Sequence, residues 1–205
     1  MIGLLGGTFD PIHLGHLSIA TDVQQHLNLN SVEFVPCKVP VHKQQPNVPV
    51  DARLAMLQLA LQDYPQFNLN RCEVDRESDS FMIDTLKSMA SETNEPLVLI
   101  LGTDAFNGLH LWKQASSILD YCHIVVCQRP GDQMRQKQYD NYWTKEAESL
   151  TKQPSSLIYS LIVTPIPCSS TNIRQNVKSA GQYLPQSVLE FIKLNHLYTS
   201  NKINV

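Results

Sequence analysis

Gly6-Gly7-Thr8-Phe9-Asp10-Pro11-Ile12-His13-Leu14-Gly15-His16 directly follows an apolar run at residues 2–5, and it compresses a glycine turn, two imidazoles and a helix start into one short stretch. The apolar run predicts a short buried strand. The paired glycines let the backbone turn sharply and approach a ligand, and Pro11 favours helix entry just downstream. Amides at the start of that helix point at whatever occupies the turn. Together with the partial positive charge of a helix N-terminus, they predict an anion there, phosphate above all. His13 and His16 are three apart and so share a helix face. Imidazoles in that place would donate hydrogen bonds to phosphate oxygens, transfer protons or bind a metal. A metal site needs more ligands, and no carboxylate or thiol at a persuasive spacing accompanies the pair, so none is expected.

Outward from this motif, short apolar runs alternate with helical patterns. The alternation predicts an α/β protein, Rossmann-like and doubly wound, with a largely parallel sheet and helices on both faces. Strands are expected at residues 2–5, 32–36, 67–72, 97–101, 124–127 and 157–164. Helices are expected at 14–27, 51–61, 81–90, 112–119, 171–178 and 186–195, the third with Asp79 or Ser80 as N-cap. Two polar or proline-bearing stretches read as loops. Residues 38–50, with Pro40, Pro46 and Pro49, form a candidate substrate flap. Residues 129–154 read as an insertion at the sheet edge, partly helical around 142–150.

The 205 residues, 42% hydrophobic, predict one domain with a helical closing segment at 170–198. A net charge of −3 carries no basic footprint for nucleic acid or anionic membrane. No apolar run approaches a membrane span and the N-terminus does not read as a secretory signal, so a cytoplasmic location is expected. Cys37, Cys72, Cys122, Cys127 and Cys168 are odd in number and never form C-x-x-C, which disfavours a disulfide framework or a zinc ribbon. Nothing in the sequence specifies an oligomeric state.

Two further constellations bear polar chemistry. Leu99-Ile100-Leu101-Gly102-Thr103-Asp104 ends a strand in glycine and acid, where ligands of open parallel sheets sit; turn chemistry alone would also explain it. Cys168-Ser169-Ser170-Thr171-Asn172-Ile173-Arg174 brings hydroxyls into a helix start with an arginine one turn inside. That is an ordinary N-cap pattern, and equally a set of donors for a polyphosphate.

The opening motif is similar at every specified position to the signature G-G-x-F-D-P-x-H-x-G-H of the nucleotidyltransferase superfamily. The chain as a whole resembles the bacterial nicotinate-nucleotide adenylyltransferases. The similarity continues through Val35-Pro36 to Lys43, residues 80–86, Gly102-Thr103-Asp104 with Trp112, Arg129-Pro130-Gly131, residues 169–174, and Leu184-Pro185 to Tyr198. The resemblance implies that ATP and nicotinate mononucleotide yield nicotinate adenine dinucleotide and pyrophosphate, with Mg²⁺ arriving on ATP. It implies His13 and His16 on the reacting phosphates, Gly7 and Thr8 lining the turn, and Gly102 and Asp104 at ATP or its ribose. Ser169, Ser170, Thr171 and Arg174 would hold the β and γ phosphates. For the mononucleotide it implies Trp112 as a stacking surface and His42 and Lys43 as phosphate contacts.

Two departures stand out. Pro40-Val41-His42 replaces the usual Pro-Pro-His, and Ser80-Phe81-Met82 replaces the usual Ser-Tyr-Thr, whose threonine is associated with the nicotinate carboxylate. The backbone amides of Met82 and Ile83 at a helix start would then serve that carboxylate. The alternatives are a sibling enzyme acting on nicotinamide mononucleotide or phosphopantetheine, and a nucleotide sensor without catalysis.

Overall fold

The computed structural model describes residues 1–39 and 45–199. The strands are β1 (Ile2–Gly7), β2 (Ser31–Pro36), β3 (Phe67–Leu69), β4 (Leu97–Gly102), β5 (His123–Gln128), β6 (Trp143–Thr144) and β7 (Ile158–Ile162). The helices are α1 (Leu14–Leu27), α2 (Val50–Leu61), α3 (Cys72–Asp75), α4 (Met82–Glu92), α5 (Thr103–Asn107), α6 (Ser170–Gln175), α7 (Val177–Ala180) and α8 (Gln186–Leu194). Among the described residues the strands form one parallel sheet in the order β3-β2-β1-β4-β5-β7-β6. The fold is the expected Rossmann-like α/β arrangement. Strand order reverses between β1 and β4, so the crevice beyond their carboxyl ends is where such a sheet receives a ligand.

Alternation along the strands explains the layers. Leu4, Leu97, Leu99, Leu101, Ile124 and Val126 face a core shared with Ile83 and Leu86 of α4. Their neighbours Leu5, Val98, Ile100, Val125 and Cys127 face a second core with Leu17, Ala20 and Val23 of α1, Met56 and Leu57 of α2, and Val188 and Ile192 of α8. Both faces are covered, so these strands read as continuous apolar runs. Helix α1 ends where Asn28 adopts φ 50 and its N–H bonds to the Gln24 carbonyl.

Several boundaries differ from the sequence reading. Strand β3 stops at Leu69, because the Asn70 side chain accepts the Cys72 N–H at 3.1 Å and turns the chain into α3. The helix expected at 112–119 is absent. Helix α5 instead follows β4 directly, and two 3₁₀ turns, Leu109–Leu111 and Ala115–Asp120, are separated by Gln114 at φ 51. Neither Asp79 nor Ser80 caps α4: its N-cap is Phe81, while Ser80 Oγ accepts the Lys38 N–H and donates to the Glu73 carbonyl. Within 129–154 the helical content is 3₁₀, at Lys137–Tyr142 and Ala147–Thr151, with the edge strand β6 between them. The segment expected as one helix at 171–178 is interrupted at Asn176, whose side chain caps α7.

Candidate functional site

The carboxyl end of β1 and the start of α1 carry the histidine motif. His13 is the N-cap of α1 and only 6% exposed. Its N–H donates to His16 Nδ1 at 3.3 Å, and the two rings stack with centroids 3.8 Å apart. Because His16 Nδ1 accepts, the ring proton sits on Nε2. Phe9 closes the other side, edge-on to the His16 ring at 5.2 Å. A methyl at Gly7 would lie 3.0 Å from the Phe9 ring, and one at Gly15 would lie 3.0 Å from the His13 ring and 3.2 Å from Cys168 Sγ. Glycine at 7 and 15 is therefore a matter of space around these rings.

The Cys168 sulfur lies 3.4 Å from His13 Nδ1. Burial pushes the Cys168 thiol up, so it persists as S–H beside the His13 ring. Burial, and next the nearby charge of Arg129, bring His13 down from its ordinary 6.5 to about 4. The free protein thus presents a neutral imidazole at pH 7. Since the folded value lies below the unfolded one, the stability gained by keeping this ring neutral is complete above about pH 6.5 and is lost as pH falls toward 4. The urea midpoint is expected to drop across that window more steeply in the wild-type protein than in His13→Gln; parallel slopes would remove His13 as the cause.

The fold brings the third constellation onto the first. Ser169 caps α6 through the Asn172 N–H at 3.2 Å, which aims α6 at the motif. Ser170 Oγ donates to the Pro11 carbonyl at 2.9 Å, and Arg174 Nη1 donates to the Asp10 carbonyl at 2.7 Å while Nη2 reaches Thr171 Oγ1 at 3.2 Å. In this structure, therefore, Ser170 and Arg174 hold the backbone of the histidine loop. Gly102 and Asp104 stand at the end of β4, the neighbour of β1; a methyl at Gly102 would meet no atom within 4 Å. Thr103, Asp104, Asn107 and Asp132 line a cavity of about 500 Å³ there, which does not include His13 or His16.

The Met82 methyl lies against Gly6, where a Cβ would be only 2.6 Å away, so the start of α4 packs on the end of β1. Ile83 is buried, 1% exposed, and so offers a backbone amide rather than a side chain. Trp112 follows a 3₁₀ turn and is half-buried, and the next residue, Lys113, pairs with Asp84 at 3.2 Å and lies over the Phe81 ring at 4.2 Å. His42 and Lys43 lie outside the described residues.

Sequence reasoning missed Arg53. Only 1% exposed, it donates from Nη1 to the carbonyls of Thr8 (2.7 Å) and Cys37 (2.9 Å), and from Nη2 to that of Lys38 (2.8 Å). It thereby ties the turn after β1 to the turn after β2. The available signal was an arginine in an otherwise apolar helical stretch, which usually marks a solvated face.

Residues 4–176 match the family model for Cytidylyltransferase-like proteins. A Methylococcus capsulatus protein named probable nicotinate-nucleotide adenylyltransferase is 40% identical over 97% of this chain and 99% of its own, and a Shewanella woodyi protein of the same name is 38% identical over 96% and 98%. The chain belongs to the nicotinate-nucleotide adenylyltransferase family. A Plasmodium falciparum nicotinic acid mononucleotide adenylyltransferase, solved in complex with NaAD, superposes with a TM-score of 0.76 at 17% identity over 98% of both chains. At that identity the likeness is one of fold. Among the described residues of this family member, no group of three or more His, Cys, Asp or Glu could hold a metal ion, and no helix is long and apolar enough to cross a membrane.

Proposed function

We propose that this chain acts as one nucleotidyltransferase domain that transfers the adenylyl group of ATP to nicotinate mononucleotide, giving nicotinate adenine dinucleotide and pyrophosphate in NAD synthesis. The observation that carries this reading is the stacked His13–His16 pair at the N-terminus of α1, at the switch point of the sheet, with α6 docked beside it.

A phosphate oxygen of the mononucleotide attacks the α-phosphorus of ATP in line. A new P–O bond forms, and the bond to the bridging α–β oxygen breaks, so pyrophosphate leaves with that electron pair. Such a reaction asks for positioning and charge stabilisation rather than an activated protein nucleophile. His16, through Nε2–H, and beside it the His13 ring donate to the oxygens on which negative charge grows. A neutral His13 is suited to donate a hydrogen bond and poorly suited to act as an acid. Gly7 and Thr8 line the turn, Gly102 and Asp104 contact ATP or its ribose, and Ser169, Ser170, Thr171 and Arg174 serve the β and γ phosphates once their present partners exchange. Mg²⁺ enters as part of the ATP substrate, carried by phosphates and water.

On the mononucleotide side, Trp112 offers a stacking surface, and His42 and Lys43 serve its phosphate. Helix α4 has no side-chain cap, so the Met82 and Ile83 amides remain suited to a carboxylate, and acid preference survives the loss of the family threonine. Offered ATP, Mg²⁺ and equal nicotinate and nicotinamide mononucleotides, the protein is expected to make mainly nicotinate adenine dinucleotide, identified by mass. Predominance of the amide product would overturn the substrate assignment. ATP binding with no pyrophosphate release on any mononucleotide would leave a sensor.

A further inference from the structure

Within the histidine loop, Phe9 has φ 49, a left-handed backbone that is costly for a bulky residue and persists only where the surroundings over-determine it. Its ring is 2% exposed and seats the His16 imidazole edge-on. The residues around Phe9 are held from outside the loop. Arg53 holds the Thr8 carbonyl, Arg174 the Asp10 carbonyl and Ser170 the Pro11 carbonyl. The Asp10 carboxylate, 3% exposed, accepts the Asn47 N–H on Oδ2 at 2.7 Å and the Tyr198 hydroxyl on Oδ1 at 2.6 Å.

Tyr198 is the most remote of these anchors in sequence and is itself left-handed, at φ 58, just beyond α8. Burial first, then the hydrogen bond and charge of Asp10, push its hydroxyl far above its ordinary range, so Tyr198 remains the donor. Two strained residues, one near each end of the chain, are thus joined through one buried carboxylate. The stretch after α8 does more here than cover a core: it delivers the Tyr198 hydroxyl to the residue beside Phe9.

We infer that Tyr198 is a positioning residue for adenylyl transfer, acting through Asp10 to hold the strained Phe9 that seats the His16 imidazole. The inference rests on the adenylyl-transfer reading above. It accounts for the closing Leu184-Pro185 to Tyr198 segment, which none of the substrate-contacting roles uses.

The test compares full-length wild type, Tyr198→Phe, His16→Ala and the double variant. Tyr198→Phe is expected to fold, to lower kcat roughly 10- to 100-fold, and to leave KM for both substrates within about threefold. In the His16→Ala background the same change is expected to lower kcat by less than about twofold, since the group it positions is gone. Equal losses in both backgrounds, an effect on KM alone, or failure of Tyr198→Phe to fold would assign Tyr198 a structural role and overturn the inference. Should the wild type turn over no mononucleotide, the substrate reading falls while NMR of the histidine rings still decides the positioning. His16 resonances that move in Tyr198→Phe, with those of remote His123 fixed, support it; unmoved His16 resonances refute it.

Discussion

His16→Ala is expected to lower kcat by at least about 10²- to 10³-fold, the scale for removing one preorganised donor to a transition-state oxygen. The local structure prepares this ring unusually well. Its Nδ1 is occupied by the His13 N–H, one face lies on the His13 ring and the Phe9 edge closes another side. The orientation of the ring is therefore set before substrate arrives, which limits reorganisation as charge develops. Because the interaction strengthens on the way to the transition state, the loss falls on kcat more than on KM. The ring is only half-buried, so the variant should keep its circular dichroism and lose about 1 kcal/mol or so of stability from the ring contacts. Near-normal turnover would remove His16 from the chemistry.

Arg53→Met is expected to cost about 2–4 kcal/mol of folding stability, read as a lower urea midpoint at unchanged slope. Three carbonyls, those of Thr8, Cys37 and Lys38, lose their donors together, while methionine fills the volume without replacing a hydrogen bond. One effect opposes this loss: the guanidinium is buried with no carboxylate ion pair among the described residues, and removing such a cation relieves its desolvation cost. The carbonyls win because they belong to two turns that cannot move independently of β1 and β2. Arg53→Lys is expected to recover part of the loss, since a single ammonium reaches fewer of the three acceptors. A wild-type midpoint for Arg53→Met would show that the turns hold without the clamp.

The legible part of the site was local. His13 and His16 were readable because their relation spans one helical turn and follows directly from spacing. The stretch 168–174 was readable as an N-cap pattern for the same reason, and the structure assigns the cap to Ser169, with α6 starting at Ser170. What failed at 112–119 was also local in form but tertiary in cause: the apolar spacing suits a helix, yet Gln114 is left-handed and the chain packs as two 3₁₀ turns. Ser80 looked like a cap because serine usually serves the nearest helix. Its hydroxyl found the Glu73 carbonyl and the Lys38 amide instead, partners from other elements.

By itself, the sequence determined the layer architecture, a turn leading into α1 and the placing of two imidazoles on one helix face. Gly6 and Gly7, expected to make that turn, are instead the last residues of β1 and pair with Val35 and Pro36, and the turn itself passes through the left-handed Phe9. Periodicity and turn chemistry act over a few residues, and the order of elements suits a parallel sheet. Only the tertiary structure decided what holds that turn in place. Arg53, Asp10 and Tyr198 act on partners tens to nearly two hundred residues away, and which donor meets which acceptor depends on how α2, α6 and the stretch after α8 that carries Tyr198 pack around the carboxyl edge of the sheet. A buried arginine and a tyrosine just past the last helix carry no local signature of such duty, because the requirement they satisfy, a strained loop with outward carbonyls and a buried carboxylate, exists only once the distant segments have come together.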